Sequence, residues 1–327
     1  MIGILCNRKS EKTIGRYLHN IFKNVAKEKR IPVIVFSMPN TNLLQRTVFG
    51  SLVSEEKIST VKVSLPMLIF NFAVQKRKSD IKKLRSLLEV ENVTLINATN
   101  QFNQLQIMEM LLSNSKTKKF VLPFINYSRE DAYTGISEKS SFILKPENRP
   151  SLSRIIYSKK VDYGFELYSL YGCSSCHKFD IQDTIHSIVH KGKWLLLKTP
   201  GLITYKNKIF VVRAYMQKKP DSEWEIVLKT IISHNETVND NLAKKIDTAS
   251  LQIIDCINCF IPDIGICFID FVLDMRANPY LLNFGGWDDR LLSKKQNRSV
   301  RIKLCKNIMK YANVLSENGV FATLPGN

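Results

Sequence analysis

Two apolar runs, Ile266 to Leu273 and Tyr280 to Phe284, are separated by Asp274-Met-Arg-Ala-Asn-Pro279. A polar, proline-containing connection of that length between apolar runs predicts a β-hairpin. Asp270 interrupts the first run, and a carboxylate inside a buried strand is expensive unless it is hydrogen-bonded, paired or coordinated to a metal. Asn283 and Gly285 follow on the second run. The chain must therefore build a two-sided buried hairpin and satisfy a charge inside it.

The N-terminal part predicts a parallel α/β lobe. Ile2 to Leu5 reads as a short buried strand, followed by a helical stripe through Ile14, Tyr17, Leu18, Ile21, Phe22, Val25 and Ala26, and then by a second strand over Pro32 to Phe36. A strand, helix, strand order of this kind favours a parallel sheet. Met67 to Asn71 and Val93 to Asn97 read as further strands, with a basic helix from about Lys76 to Leu88 between them. The lobe is expected to end near residue 96. Beyond it come a loop over Asn97 to Phe102, a helix through Leu105, Met108 and Leu111, and strands at Phe120 to Pro123, Ser141 to Pro146 and Phe210 to Gln217. Lys145 stands at the end of the second of these strands, where a compact charge can reach a phosphate. A final helix is expected through Val300, Leu304, Ile308, Tyr311 and Leu315.

The chain of 327 residues, 44% hydrophobic, is long enough for two or three lobes. No run reaches the roughly 18 to 20 apolar residues of a membrane span, and the N-terminus lacks a secretory pattern, so the expected compartment is the cytoplasm. The formal net charge of +19 creates an attractive field for anions. Its clusters at Lys76 to Arg85, Lys116 to Lys119 and Lys294 to Lys310 lie on polar faces of expected helices, without interleaved aromatics. They read as solvated faces, and nucleic acid is not an expected partner. Two Cys-x-x-Cys pairs, Cys173 with Cys176 and Cys256 with Cys259, raise a zinc or thiol alternative. Against it, Cys256 and Cys259 fall in a helical pattern through Leu242, Ile246, Ala249, Ile253 and Ile257.

The ordered set Asn97 to Phe102, Phe120-Val-Leu-Pro123, Ile143-Leu-Lys-Pro146, Phe210 to Gln217 with Arg213, Ile269-Asp270 and Leu282-Asn283 resembles the endospore coat-associated YheC/YheD group of the ATP-grasp superfamily. The opening Gly3-Ile4-Leu5 is similar as well. The resemblance implies an α/β fold of the ATP-grasp type: an N-terminal parallel α/β lobe over 1–96 and two nucleotide-cleft lobes over 97–197 and 198–327. It implies ATP and magnesium as cofactors. By it, Lys145 is the nucleotide-phosphate lysine, Lys198 stands at the nucleotide-contacting hinge, Arg213 is the catalytic arginine facing phosphate or acyl phosphate, and Asp270 and Asn283 occupy metal-ligand positions.

Several positions depart from the family pattern. Asn283-Phe284-Gly285 replaces Glu-x-Asn, Glu147 to Arg154 contains no glycine where a phosphate-covering loop is expected, Lys198 replaces an acidic residue or glutamine, and Val211 replaces an aspartate. Asp288 and Asp289 follow the Gly285-Gly286 turn, either as a helix cap or as substitute carboxylates. The expected function is that of an ATP-binding, ligase-like scaffold with degenerate metal and phosphate-loop motifs. An active carboxylate-amine or carboxylate-thiol ligase with a substituted magnesium site is the alternative, and a zinc- or thiol-dependent protein the third. The partners implied are a nucleotide, another anionic ligand or a spore-coat protein, with a spore-associated location.

Overall fold

The computed structural model describes residues 1–22, 31–54, 56–127, 141–148, 150–189, 192–219, 221–232, 238–292 and 298–317. Val25, Ala26, Arg149 and Lys294 lie outside these residues, as do the side chains of Phe22 and Leu315.

Three sheets follow one another along the chain. The first is built from β1 (Ile2–Cys6), β2 (Val33–Asn42), β3 (Thr47–Val53), β4 (Ile58–Ser64), β5 (Leu68–Asn71) and β6 (Thr94–Ile96), in the order β4-β3-β2-β1-β5-β6. Strands β2, β1, β5 and β6 run parallel, as the sequence pattern predicts. Strands β3 and β4 extend that sheet as an antiparallel ribbon that the pattern did not reveal. Helix α1 (Glu11–Phe22) buries Ile14, Leu18 and Ile21 against β1 and β2, and α2 (Lys78–Leu88) buries Leu87. Lys76, Arg77, Lys78, Lys82 and Arg85 stay exposed, the solvated face expected of that basic run.

After α3 (Gln104–Leu112) comes the second sheet: β7 (Phe124–Asn126), β8 (Phe142–Pro146), β9 (Ile156–Val161), β10 (Gly164–Tyr168), β11 (Cys173–His177) and β12 (Trp194–Lys198), in the order β11-β10-β9-β8-β12-β7. Helix α4 (Ile181–Ile188) packs Ile181 and Ile185 against it. The strand expected at Phe120 to Pro123 is instead a 3-10 turn, Lys118–Phe120, followed by unpaired extended chain. These residues are apolar because they are core: Phe120, Val121 and Leu122 are buried, and the chain enters the sheet only at Phe124.

A two-stranded ribbon, β13 (Thr204–Tyr205) with β14 (Lys208–Ile209), leads to the third sheet. Its strands are β15 (Val212–Lys218), β16 (Trp224–Ile231), β17 (Ile266–Leu273) and β18 (Pro279–Gly285), all antiparallel, in the order β16-β15-β17-β18. The predicted hairpin is β17 with β18. Its turn is held by Asp274 Oδ1, which accepts from the backbone N–H of Arg276 at 2.9 Å and of Asn278 at 2.8 Å. Helix α5 (Asp240–Phe260) buries Ile246, Ala249, Ile253 and Ile257, and α6 (Arg298–Glu317) lays Leu304 and Ile308 into the core shared with β1 and α1.

A polar clasp joins the first sheet to the third. Asn97, in the left-handed conformation that asparagine tolerates, accepts from the backbone N–H of Gly265 at 2.8 Å and of Ile266 at 2.9 Å through Oδ1. Its amide donates to the Ile266 carbonyl at 2.6 Å. Asn100 donates to the carbonyls of Asn71 and Ala73 and accepts from Trp287 N–H, and Gln104 exchanges two hydrogen bonds with the Phe284 backbone. Each of these amides is buried, so each replaces water that the sheet ends would otherwise need.

Candidate functional site

The candidate residues converge on one row of the third sheet. Register pairs Arg213 on β15 with Asp270 on β17, and Asp270 with Asn283 on β18, so three side chains stand side by side across three strands. Arg213 grips Asp270 with two donors, Nε to Oδ1 at 2.5 Å and Nη2 to Oδ2 at 2.8 Å. Asn283 donates from Nδ2 to Asp270 Oδ2 at 3.0 Å. Arg213 and Asp270 are 2% and 0% exposed, a depth at which a bidentate pair is needed to offset desolvation.

A second carboxylate completes the pair. Asp288 Oδ2 accepts from Arg213 Nη1 and, at 2.8 Å, from the Tyr215 hydroxyl, while Arg290 donates to the same carboxylate from the surface. Burial would raise the Asp288 pKa, but the charges of Arg213 and Arg290 hold it below the usual carboxylate range. Its neighbour Asp289 is shifted the other way, chiefly by burial. Burial would likewise pull the Arg213 pKa down, yet Asp270 carries it above the ordinary arginine value, so the guanidinium stays charged. The guanidinium lies over the Phe268 ring, its Cζ 3.8 Å from the centroid. Phe268 in turn faces Gly285, where a Cβ would run into the ring.

Lys145 approaches the same row from the second sheet. Its ammonium donates to the Leu282 carbonyl, one residue before Asn283, and burial pushes its pKa down to about 7, an effect that the charge of Asp270 partly offsets. Lys198 does not join it. In the β8–β12 register Leu195 faces Lys145, while Lys198 faces Phe142 at the other end of the strand, with its side chain exposed.

Next to Arg213 opens a pocket of about 440 Å³. Asn7, Asn100, Ser151, Arg213, Trp287 and Arg290 are among the residues of its wall. It lies beyond the C-terminal ends of β1 and β5, where parallel sheets leave ligand crevices, and its size suits a small ligand. Lys145 is not part of this wall.

Asp270, an expected metal position, does not fit magnesium as it stands, and neither does Asp288, the substitute carboxylate. Both oxygens of Asp270 are already engaged by a guanidinium, and magnesium prefers carboxylates free to bind it. Asp288 serves the backbone N–H of Arg290 at 3.0 Å, the capping contact expected after the glycine turn, and also serves Arg213. Among the described residues no group of three or more His, Cys, Asp or Glu side chains is arranged to hold a metal ion. The two Cys-x-x-Cys pairs therefore do not assemble: Cys173 and Cys176 lie on edge strand β11, and Cys256 and Cys259 lie in α5. Sequence reading missed the Asn97, Asn100 and Gln104 clasp. The run Asn97-Ala-Thr-Asn-Gln-Phe-Asn-Gln104, unusually rich in amides, was the available signal.

No protein-family model matches the sequence, and none of the curated proteins does. Solved structures do match along nearly the whole chain. D-alanine-D-alanine ligase from Coxiella burnetii is similar at a TM-score of 0.56 and 11% identity, over 98% of this chain and 97% of that one. D-alanine-D-alanine ligase from Bacillus anthracis, solved with ATP, aligns at 0.52 and 10% identity over 97% and 98%. The ATP-grasp ligase PsnB, solved with a minimal precursor, aligns at 0.52 and 11% over 94% and 98%. The chain has the ATP-grasp fold. Among the described residues no helix is long and apolar enough to cross a membrane.

Proposed function

We propose that this chain is a nucleotide-binding, ligase-like scaffold of the ATP-grasp type, related to the YheC/YheD group, whose cleft takes a phosphate-bearing ligand and which does not carry out metal-dependent ligation. The convergence of Lys145 from the second sheet and Arg213 from the third on Asp270, with Arg213 reaching the pocket wall, carries this reading. Lys145, Arg213 and Arg290 set three basic side chains around the two carboxylates Asp270 and Asp288, and a phosphate chain would meet the basic excess. In this reading Lys145 offers a point charge and Arg213 a fork of donors, while Asp270 keeps the fork oriented. When a phosphate approaches, Lys145 takes up a proton, because the new anion raises a pKa that burial had lowered. A spore-coat protein or another anionic molecule is the proposed partner of the basic exterior.

Thermal denaturation in the presence of ATP, ADP and pyrophosphate tests this. A saturable rise in melting temperature with ATP, lost in Lys145→Met, supports it. Formation of ADP and phosphate that depends on magnesium and on an added carboxylic acid and amine would establish the working ligase instead.

A further inference from the structure

The metal positions are rebuilt, as a set, around a guanidinium. Asp270 gives both oxygens to Arg213. Asn283 turns its NH2 group, rather than an oxygen, toward Asp270; an amide next to an ionised carboxylate has its favourable orientation that way round. Gly285 carries no side chain, and the space is filled by the Phe268 ring on which the guanidinium rests. Asp288 closes the remaining side through Nη1. Each change suits the others, and each is unsuited to a divalent cation bound between Asp270 and Asn283.

We propose that the Arg213 guanidinium is a resident cation at the position of the metal, so that the cleft binds a phosphate group directly and without a divalent ion. An arginine presents five N–H donors. Three of those of Arg213 go to Asp270 and Asp288, which leaves two for a ligand. Arg213 lines the pocket, so an anion entering there meets the fork already oriented by two carboxylates. The Oδ1 atom of Asn283 is buried without a hydrogen-bond partner among the described residues, so the amide gives its NH2 group to Asp270 and leaves its oxygen unsatisfied. The guanidinium cannot leave as a metal can, and arginine stays charged in proteins. The identity of the anion rests on the nucleotide reading above, whereas the exclusion of the metal rests on this row alone.

The test uses manganese alone, without nucleotide, titrated into the full chain and followed by electron paramagnetic resonance. Wild type is expected to bind no manganese in a manner that depends on Asp270. Arg213→Met frees the carboxylate and is expected to gain a site of at least tenfold higher affinity, which Arg213→Met combined with Asp270→Asn loses again. One manganese bound by wild type and lost in Asp270→Asn alone would overturn the proposal, and that comparison does not require the Arg213 variant to fold. If wild type takes no manganese yet ATP fails to bind, the nucleotide reading falls while the resident cation stands.

Discussion

Replacing Asp270 by Asn probes the row at its centre. The carboxylate is fully buried, accepts two hydrogen bonds from Arg213 and one from Asn283, and is the more strongly coupled of two anions that keep the guanidinium charged in the core. Removing one partner of a buried pair destabilises by about 3–5 kcal/mol. Asparagine preserves the shape and one acceptor, and Arg213 keeps Asp288, so the expected loss is near the lower bound, about 3 kcal/mol. Arg213→Met leaves Asp270 charged with only the Asn283 amide hydrogen-bonded to it and is expected to lose more, about 4 kcal/mol or above. The double variant removes the charge and its partner together, so its loss falls short of the sum by about 2 kcal/mol or more. Urea unfolding followed by tryptophan fluorescence reads these differences, since buried Trp287 adjoins Asp288. A loss below about 1 kcal/mol for Asp270→Asn, or singles that add without coupling, would refute a desolvated pair.

Three further outcomes follow from the same geometry. In the unfolded chain Lys145 keeps its proton up to about pH 10.4, whereas in the folded protein it loses it near pH 7, so between those values the unfolded state binds more protons and stability rises with pH. Relative to Lys145→Met, wild type should gain about 1.4 kcal/mol per pH unit across that window, measured by urea unfolding at several pH values, and a flat difference would contradict it. Asn97→Ala strands the N–H groups of Gly265 and Ile266 and removes a residue suited to its left-handed backbone, so about 3 kcal/mol of stability should go and hydrogen exchange at those two amides should rise. Lys198→Ala should leave ligand affinity within about twofold, because that side chain is exposed at the far end of β12 from the Lys145 register; a larger loss in titration would restore it to the site.

How legible the molecule was from its sequence depended on how completely each element is buried. Strands β1, β5 and β17 are buried at every position and read as apolar runs, broken only by Asp270 within β17 and Asn71 at the end of β5. Edge strand β11, Cys-Ser-Ser-Cys-His, carries no such signal; it is a strand because β10 offers it a hydrogen-bonding partner, which is a property of the assembled sheet. Phe120 to Leu122 misled for the opposite reason, being buried without pairing. At the site, residue type marked Asp270 and Lys145, and the ordered set of motifs added Arg213 and Asn283. That Arg213 and Asp270 face each other is a matter of strand register, which no local pattern encodes. Asp288 looked like a cap and is one, but its second role with Arg213 exists only once β15 lies beneath the turn.

The proposed cleft is expected to bind nucleotide through protein cations. Calorimetric titration of ATP into the wild-type chain, first in EDTA and then with excess magnesium, addresses it most directly. Saturable binding in EDTA that magnesium leaves essentially unchanged is the predicted result. Binding that appears only with magnesium, or no binding in either condition, would contradict it.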